Sequence, residues 1–232
     1  MDKWKQIWNK DDRINKIILE TLIKADGFDS GAGSFTVDDW IEYTNEFYTK
    51  LNIIKLDSVY DIGCGSGAFV YPLYLKDHKV GGVDYSMVLI NLANMIMPNS
   101  DFKNQEAIDM NLSKKYDIVL SHSVFHYFKD LEYAENVIKK MIDKSNNQIA
   151  IFDINDELKK DAYHRVRMGD MTAKEYEEKY KGLEHMFYSK EWFYTIAEEL
   201  DVDISIFNQT FTSYTNSSLR FNVIMKKRLL ND

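Results

Sequence analysis

The 232-residue chain is 45% hydrophobic and 28% charged, with ten glycines and two prolines, an ordinary globular composition that excludes long disordered linkers and suits one domain, or one domain with a small cap. Its net charge of -8 argues against a broad nucleic-acid or anionic-membrane footprint, and its single cysteine, Cys64, excludes an intrachain disulfide. No apolar run reaches the roughly 20 residues of a membrane span and the first residues lack the apolar core of a signal peptide, so the expected location is cytoplasmic.

Residues 4–24 read as helical, with Trp4, Ile7, Trp8, Ile14, Ile17, Ile18, Leu22 and Ile23 near helical spacing. Gly27 and the run 29–34 break that pattern. Thr36-Val37-Asp38-Asp39 has the form of a capping box with Asp in place of Glu. It opens a helix to about Leu51 that carries Trp40, Tyr43, Phe47 and Tyr48. From Ser58 strand and helix alternate. Strands are expected at 58–61, 79–83, 101–104, 116–121 and 148–152, and helices at about 68–76, 86–97 and 131–143. Such alternation implies a parallel sheet with right-handed crossovers and helices on both faces. Residues 155–190 read as a helical, aromatic insertion with a capping box at Thr172-Ala173-Lys174-Glu175. A helix at about 190–200 and two β-rich runs, 202–209 and 220–226, close the chain.

The fold is organised around Val59-Tyr60-Asp61-Ile62-Gly63-Cys64-Gly65-Ser66-Gly67. A short strand ends in an acid, and three glycines follow at alternate positions. Glycine admits positive φ and close approach of a ligand to the backbone, and the helix expected next would offer free N–H groups. The dinucleotide fingerprint is G-x-G-x-x-G, whereas this turn runs G-x-G-x-G. Asp84 lies 21 residues after Gly63, at the end of the second strand. An acid there accepts hydrogen bonds from ribose hydroxyls of a nucleoside cofactor, nicotinamide cofactors included.

The glycine turn, Asp84, the pair Glu106-Ala107 after the third strand and Tyr116-Asp117 opening the fourth together resemble the class I S-adenosylmethionine (SAM) dependent methyltransferases. The resemblance covers about residues 51–152. It implies a Rossmann-like three-layer α/β sandwich with a seven-stranded, mostly parallel sheet and an antiparallel last strand. It also implies a single methyltransferase domain: an N-terminal helical cap over 1–50, a SAM-binding core over 51–154, a substrate-covering insertion over 155–190, and a final helix and strands over 191–232. The cofactor is S-adenosyl-L-methionine and the product S-adenosyl-L-homocysteine (SAH).

By the same resemblance, Gly63, Cys64, Gly65 and Gly67 wrap the methionyl and ribose part, Asp61 lies near its ammonium, and Asp84 with Tyr85 takes the ribose. Glu106 meets the adenine amino group, Ala107 and Ile108 the ring edge, and Met87 packs on the adenine face; Asp109 is the rival acid, and Ser121 ends the fourth strand beside the cofactor. On the acceptor side, His122 and His126 are candidate bases, since histidine is the natural base near neutral pH. Tyr43, His185, Tyr188 and Arg220 are candidate substrate contacts, with Arg165 and Arg167 as further cations for an anionic acceptor. The histidines do not form a metal motif. No proline lies at the fourth strand end, where methylases of planar amino nitrogens carry a Pro-Pro tetrad.

The reading is therefore a methyltransferase acting on a small molecule. Oxygen is the preferred acceptor atom, as a hydroxyl, carboxylate or phosphate, in a polar metabolite or a surface-saccharide precursor. No nucleic-acid or membrane partner is expected, and the chain would be a monomer or homodimer. The rivals are an N-methyltransferase or protein methyltransferase, a NAD-dependent oxidoreductase, and a SAM-binding protein without turnover.

Overall fold

In the computed structural model, residues 11–28 and 34–228 are described; the expected helical positions Trp4, Ile7 and Trp8, and the break at 29–33, lie outside them. In chain order the elements are α1 (Asp11–Ala25), α2 (Val37–Lys50), β1 (Val59–Ile62), α3 (Tyr71–Tyr74), β2 (Val80–Asp84), α4 (Met87–Ile96), β3 (Asp101–Asn104), β4 (Tyr116–His122), α5 (Leu131–Lys144), β5 (Ser145–Asn155), α6 (Lys160–Met168), α7 (Ala173–Tyr180), α8 (Lys190–Glu199), β6 (Val202–Asn208) and β7 (Arg220–Lys227).

The strands form one sheet in the order β3-β2-β1-β4-β5-β7-β6. Every pairing from β3 to β5 is parallel, and β7 runs antiparallel to both β5 and β6. The seven-stranded sheet with its antiparallel last strand matches the expected Rossmann-like architecture. Chain order reverses direction between β1 and β4, which puts a switch-point crevice at their carboxyl ends.

Period-2 alternation sends neighbouring side chains to opposite faces. Val59, Ile118, Leu120 and Phe152 pack with Leu22 and Ile23 of α1, Trp40 and Phe47 of α2, and Ile90 and Ala93 of α4. Tyr60, Val119, Ile149 and Val223 pack against Val137, Ile138 and Met141 of α5 and Phe193 and Ile196 of α8. The caps read from sequence form as expected. Thr36 accepts from the Asp39 amide at 3.1 Å, Ser86 caps α4, and Thr172 with Glu175 closes a full capping box on α7.

Two expectations are corrected. The helix expected over 68–76 is only the single turn Tyr71–Tyr74. Pro72 has no N–H to give the Ala68 carbonyl, and that carbonyl instead accepts from the Trp40 indole at 3.1 Å. The Phe69 carbonyl accepts from the Tyr48 hydroxyl. α2 thus takes over carbonyls that a longer helix would have used. Strand β5 is also longer than its apolar run, reaching Asn155. It carries a bulge between Ile151 and Ile154, opposite Val223 and Phe221, with Asp153 at φ 61°. A bulge re-aims the extra side chain, and here that side chain is Asp153.

Candidate functional site

A cavity of about 940 Å³ opens at the carboxyl ends of β1, β2 and β4, within the range of small-molecule sites. At one end lies the glycine turn. Gly63, Gly65 and Gly67 have φ of 73°, 53° and 86°, a region that L side chains avoid. A Cβ on Gly63 would come within 2.4 Å of Val124, and one on Gly65 within 2.4 Å of Asp26 Oδ1. The turn amides are already used by carboxylates. Gly65 N–H donates to Asp84 Oδ2 at 3.0 Å, and Ser66 N–H donates to Asp26 Oδ1 at 2.7 Å. Asp84 Oδ1 also accepts from the Ser86 amide at 2.8 Å. The Gly65 and Ser66 amides are therefore not free for a ligand, and the helix expected to offer N–H groups directly after the turn starts late, at Tyr71.

Three carboxylates meet at this end: Asp26, Asp61 and Asp84. Asp61 is 2% exposed, and its Oδ1 has no hydrogen-bond partner. Burial holds its carboxyl well above the usual range, and the charges of Asp26 and Asp84 add to this. Burial, with Asp84 adding, pushes the Asp26 carboxyl up to about 7. Cys64 lines the turn with a buried thiol that burial pushes up, so it is not poised as a thiolate nucleophile.

Next along the cavity come Tyr85, Leu89, Glu106, Ala107 and Tyr133. Glu106 faces the cavity and its rival Asp109 does not line it. Ile108 does not line the cavity, and its amide donates to the Tyr133 hydroxyl at 3.4 Å. Met87 is exposed and does not line the cavity; Leu89, two positions along α4, does. Gly67 and Ser121 also lie behind the wall, Gly67 N–H bonding Cys64 O and Ser121 Oγ donating to Ile62 O at 2.9 Å.

The other end is built from His122, His126, Tyr163, Arg167, His185 and Arg220. His122 Nε2 meets the Tyr43 hydroxyl at 2.9 Å, and its ring stacks on Phe69 with centroids 4.5 Å apart. Tyr43 itself is buried behind His122. Burial pulls His122 down to about 4 and holds His126, whose Nδ1 has no partner, well below the ordinary histidine value. His185 bonds the Tyr163 hydroxyl at 2.5 Å and is likewise pulled down to about 4, by burial first and then by Arg167 and Arg220. All three imidazoles are neutral at pH 7. Tyr188 lies away from the cavity, its hydroxyl on the Phe125 carbonyl at 2.7 Å.

Arg220 is 5% exposed. Its Nε lies 3.4 Å from Asp153 Oδ1, too poorly aligned for a hydrogen bond, so Nε and Nη1 have no hydrogen-bond acceptor. Asp153, carried in by the β5 bulge, accepts from Ser123 Oγ at 2.8 Å, Tyr214 Oη at 3.1 Å and Gln209 Nε2 at 3.3 Å. It therefore anchors this end of the cavity, while Asp156 caps the segment that follows β5. Arg165 does not line the cavity, whereas Arg167 does. Sequence reading missed Asp26, Tyr133 and the anchoring role of Asp153. Among the described residues no cluster of three or more His, Cys, Asp or Glu is placed to hold a metal ion, and no helix is long and apolar enough to cross a membrane.

A family described as "Methyltransferase domain" matches residues 54–201, more than half of the chain. Putative methyltransferase 235L of Invertebrate iridescent virus 6 is 32% identical over 110 residues, 47% of this chain and 41% of that protein. The malonyl-[acyl-carrier protein] O-methyltransferase of Calditerrivibrio nitroreducens is 33% identical over 81 residues, 34% and 31% of the two chains. The chain thus spans half or less of these curated relatives. Among solved structures, magnesium protoporphyrin IX methyltransferase from Synechocystis PCC 6803 with bound SAM superposes with TM-score 0.59 at 14% identity, covering 92% of this chain and 97% of that one. The plantazolicin methyltransferase in complex with SAH gives TM-score 0.58 at 18% identity, over 82% and 83%. At such identities the likeness is one of fold.

Proposed function

Because this chain belongs to the methyltransferase domain family, we propose that it is a SAM-dependent methyltransferase that esterifies a carboxylate oxygen of a small-molecule acceptor. The carrying observation for the cofactor is the charge at the glycine turn. A dinucleotide would bring a pyrophosphate, which needs free amides. Here the Gly65 and Ser66 amides already serve Asp84 and Asp26, and Asp61 lies beside them. Three carboxylates repel an anion and favour the cationic methionyl end of SAM. Asp84 keeps lone pairs for ribose hydroxyls, while Glu106 and Ala107 line the stretch where adenine would lie. The residues present fit the cofactor, and the partnerless Asp61 Oδ1 is an acceptor that its ammonium would satisfy.

SAM brings a methyl already activated on sulfonium. What remains for the chain is to place the acceptor in line, exclude water and bear the charges. His122, held neutral and bonded to Tyr43, is a poor proton store, so an acceptor that needs no base suits the site. Arg220 supplies a buried guanidinium whose Nη1 has no hydrogen-bond acceptor, a planar donor group that suits a carboxylate. Arg167 adds positive charge on the same wall. Attack by a carboxylate leaves no proton to remove. The relative from Calditerrivibrio nitroreducens is named an O-methyltransferase, which supports oxygen as acceptor.

The test is incubation with methyl-tritiated SAM and a panel of small carboxylic acids. The account predicts label released as methanol by mild base, the mark of a carboxylate ester. Label fixed in base-stable products would instead support transfer to nitrogen or a hydroxyl.

A further inference from the structure

The glycine turn is met from outside the sheet by a side chain that no expected motif contains. Asp26 follows the last turn of α1. Its Oδ1 accepts from the Ser66 amide at 2.7 Å, and Ser66 Oγ donates back to the Leu22 carbonyl at 3.1 Å. The carboxyl lies so close over Gly65 that a Cβ there would meet Oδ1 at 2.4 Å and Oδ2 at 3.0 Å. Gly65 is therefore required by Asp26 as well as by its own φ. Asp61 lines the same end of the cavity with one oxygen buried and unpartnered. A buried acceptor in that state is costly until a ligand brings it a donor.

Resting on the cofactor reading above, we propose that Asp26 and Asp61 form a two-carboxylate seat for the α-ammonium of the methionyl group, with Asp26 a cofactor-binding residue contributed by the N-terminal segment. An ammonium has three donors and no acceptor, so it complements two converging carboxylates where turn amides are already spent. The titratable groups facing Asp26 are Asp61 at the end of β1, Asp84 at the end of β2 and Cys64 in the turn. On α1, Lys24 pairs with Glu20. Without a bound cation the Asp26–Asp61 pair holds a proton, because burial and mutual repulsion disfavour full ionisation. Entry of the ammonium ionises the pair. One carboxyl O–H bond breaks, its proton passes to solvent, and the ammonium keeps its own protons.

The test is isothermal titration of the whole chain at pH 7 in phosphate and in Tris, whose ionisation enthalpies differ. The ligands are SAH and 5′-methylthioadenosine, which keeps the adenosine and thioether and lacks the amino-acid end. The expected result is release of about one proton with SAH and none with methylthioadenosine. Asp26→Asn weakens SAH tenfold or more and leaves methylthioadenosine within twofold, which also reports that the variant is folded. Equal proton release with both ligands, or wild-type SAH affinity in Asp26→Asn, overturns the proposal and leaves the cofactor reading standing. Should Asp26→Asn bind neither ligand, the wild-type proton release decides alone. Failure of the wild-type chain to bind either compound overturns both.

Discussion

Replacing Asp84 with alanine probes the turn and the nucleoside site together, and the structure separates the two costs. The carboxylate is 8% exposed and accepts from Gly65 N–H at 3.0 Å and Ser86 N–H at 2.8 Å. Alanine leaves both amides without that acceptor, at about 1–3 kcal/mol for a buried donor. Ser86 lies at the partly buried head of α4, where water can substitute, so the stability loss should be about 2–3 kcal/mol. A domain with about 5–15 kcal/mol in hand stays folded. The binding loss is a separate quantity: hydrogen bonds from ribose to a charged acceptor are worth about 1.5–3 kcal/mol, or roughly ten- to a hundredfold in Kd. Denaturant unfolding measures the first cost and titration with SAH at a temperature where the variant is folded measures the second. An Asp84→Ala variant that is destabilised yet binds SAH within twofold of wild type would refute the ribose role and leave Asp84 as a structural brace.

Arg220→Lys keeps a positive charge and loses the fork, so kcat/KM for the acceptor should fall about ten- to a hundredfold with SAH affinity within twofold; steady-state kinetics and titration separate the two. With both substrates saturating, kcat should show no inflection between pH 6 and 8.5, since His122 sits at about 4 and carboxylate attack needs no base; an apparent pKa between 6 and 7 would restore His122 as the base. The unliganded chain should melt lower at pH 8 than at pH 6. Asp26 has its native pKa raised to about 7, so its contribution is full below its unfolded value and is lost as pH climbs through 7, by about 1 kcal/mol over that interval; a calorimetric scan checks this, and a flat Tm would count against a raised Asp26 pKa. Trp40→Phe keeps most of the packing and strands the Ala68 carbonyl, for an expected loss of about 1–3 kcal/mol in chemical denaturation.

The sheet was legible because the inner parallel strands β1, β2 and β4 bury both faces and read as short apolar runs, as at Ile118–Leu120. Asp84 was legible because it ends such a run at a fixed distance from the glycines. The length of α3 was readable in principle, since Pro72 removes the donor for the Ala68 carbonyl, but the acceptor's replacement partner, Trp40, is 28 residues away. The extent of β5 was hidden by polar residues at its two ends, which pair in the sheet although alone they read as turn formers. Asp26 was invisible for a different reason. Its contact with Ser66 spans 40 residues, and nothing in the local pattern of an exposed helix end marks its last acid as a neighbour of the glycine turn. The same holds for the collar of Ser123, Gln209 and Tyr214 around Asp153. That collar depends on a bulge, and a bulge leaves no clear mark in the spacing of apolar residues.

The most direct measurement is a crystal structure grown with SAH. The account places its ribose hydroxyls on Asp84, its adenine between Tyr85 and Tyr133 with Glu106 at the edge, and its ammonium between Asp26 and Asp61. Density for the nucleoside elsewhere, or a crevice at β1 and β4 left empty at saturating SAH, would contradict it.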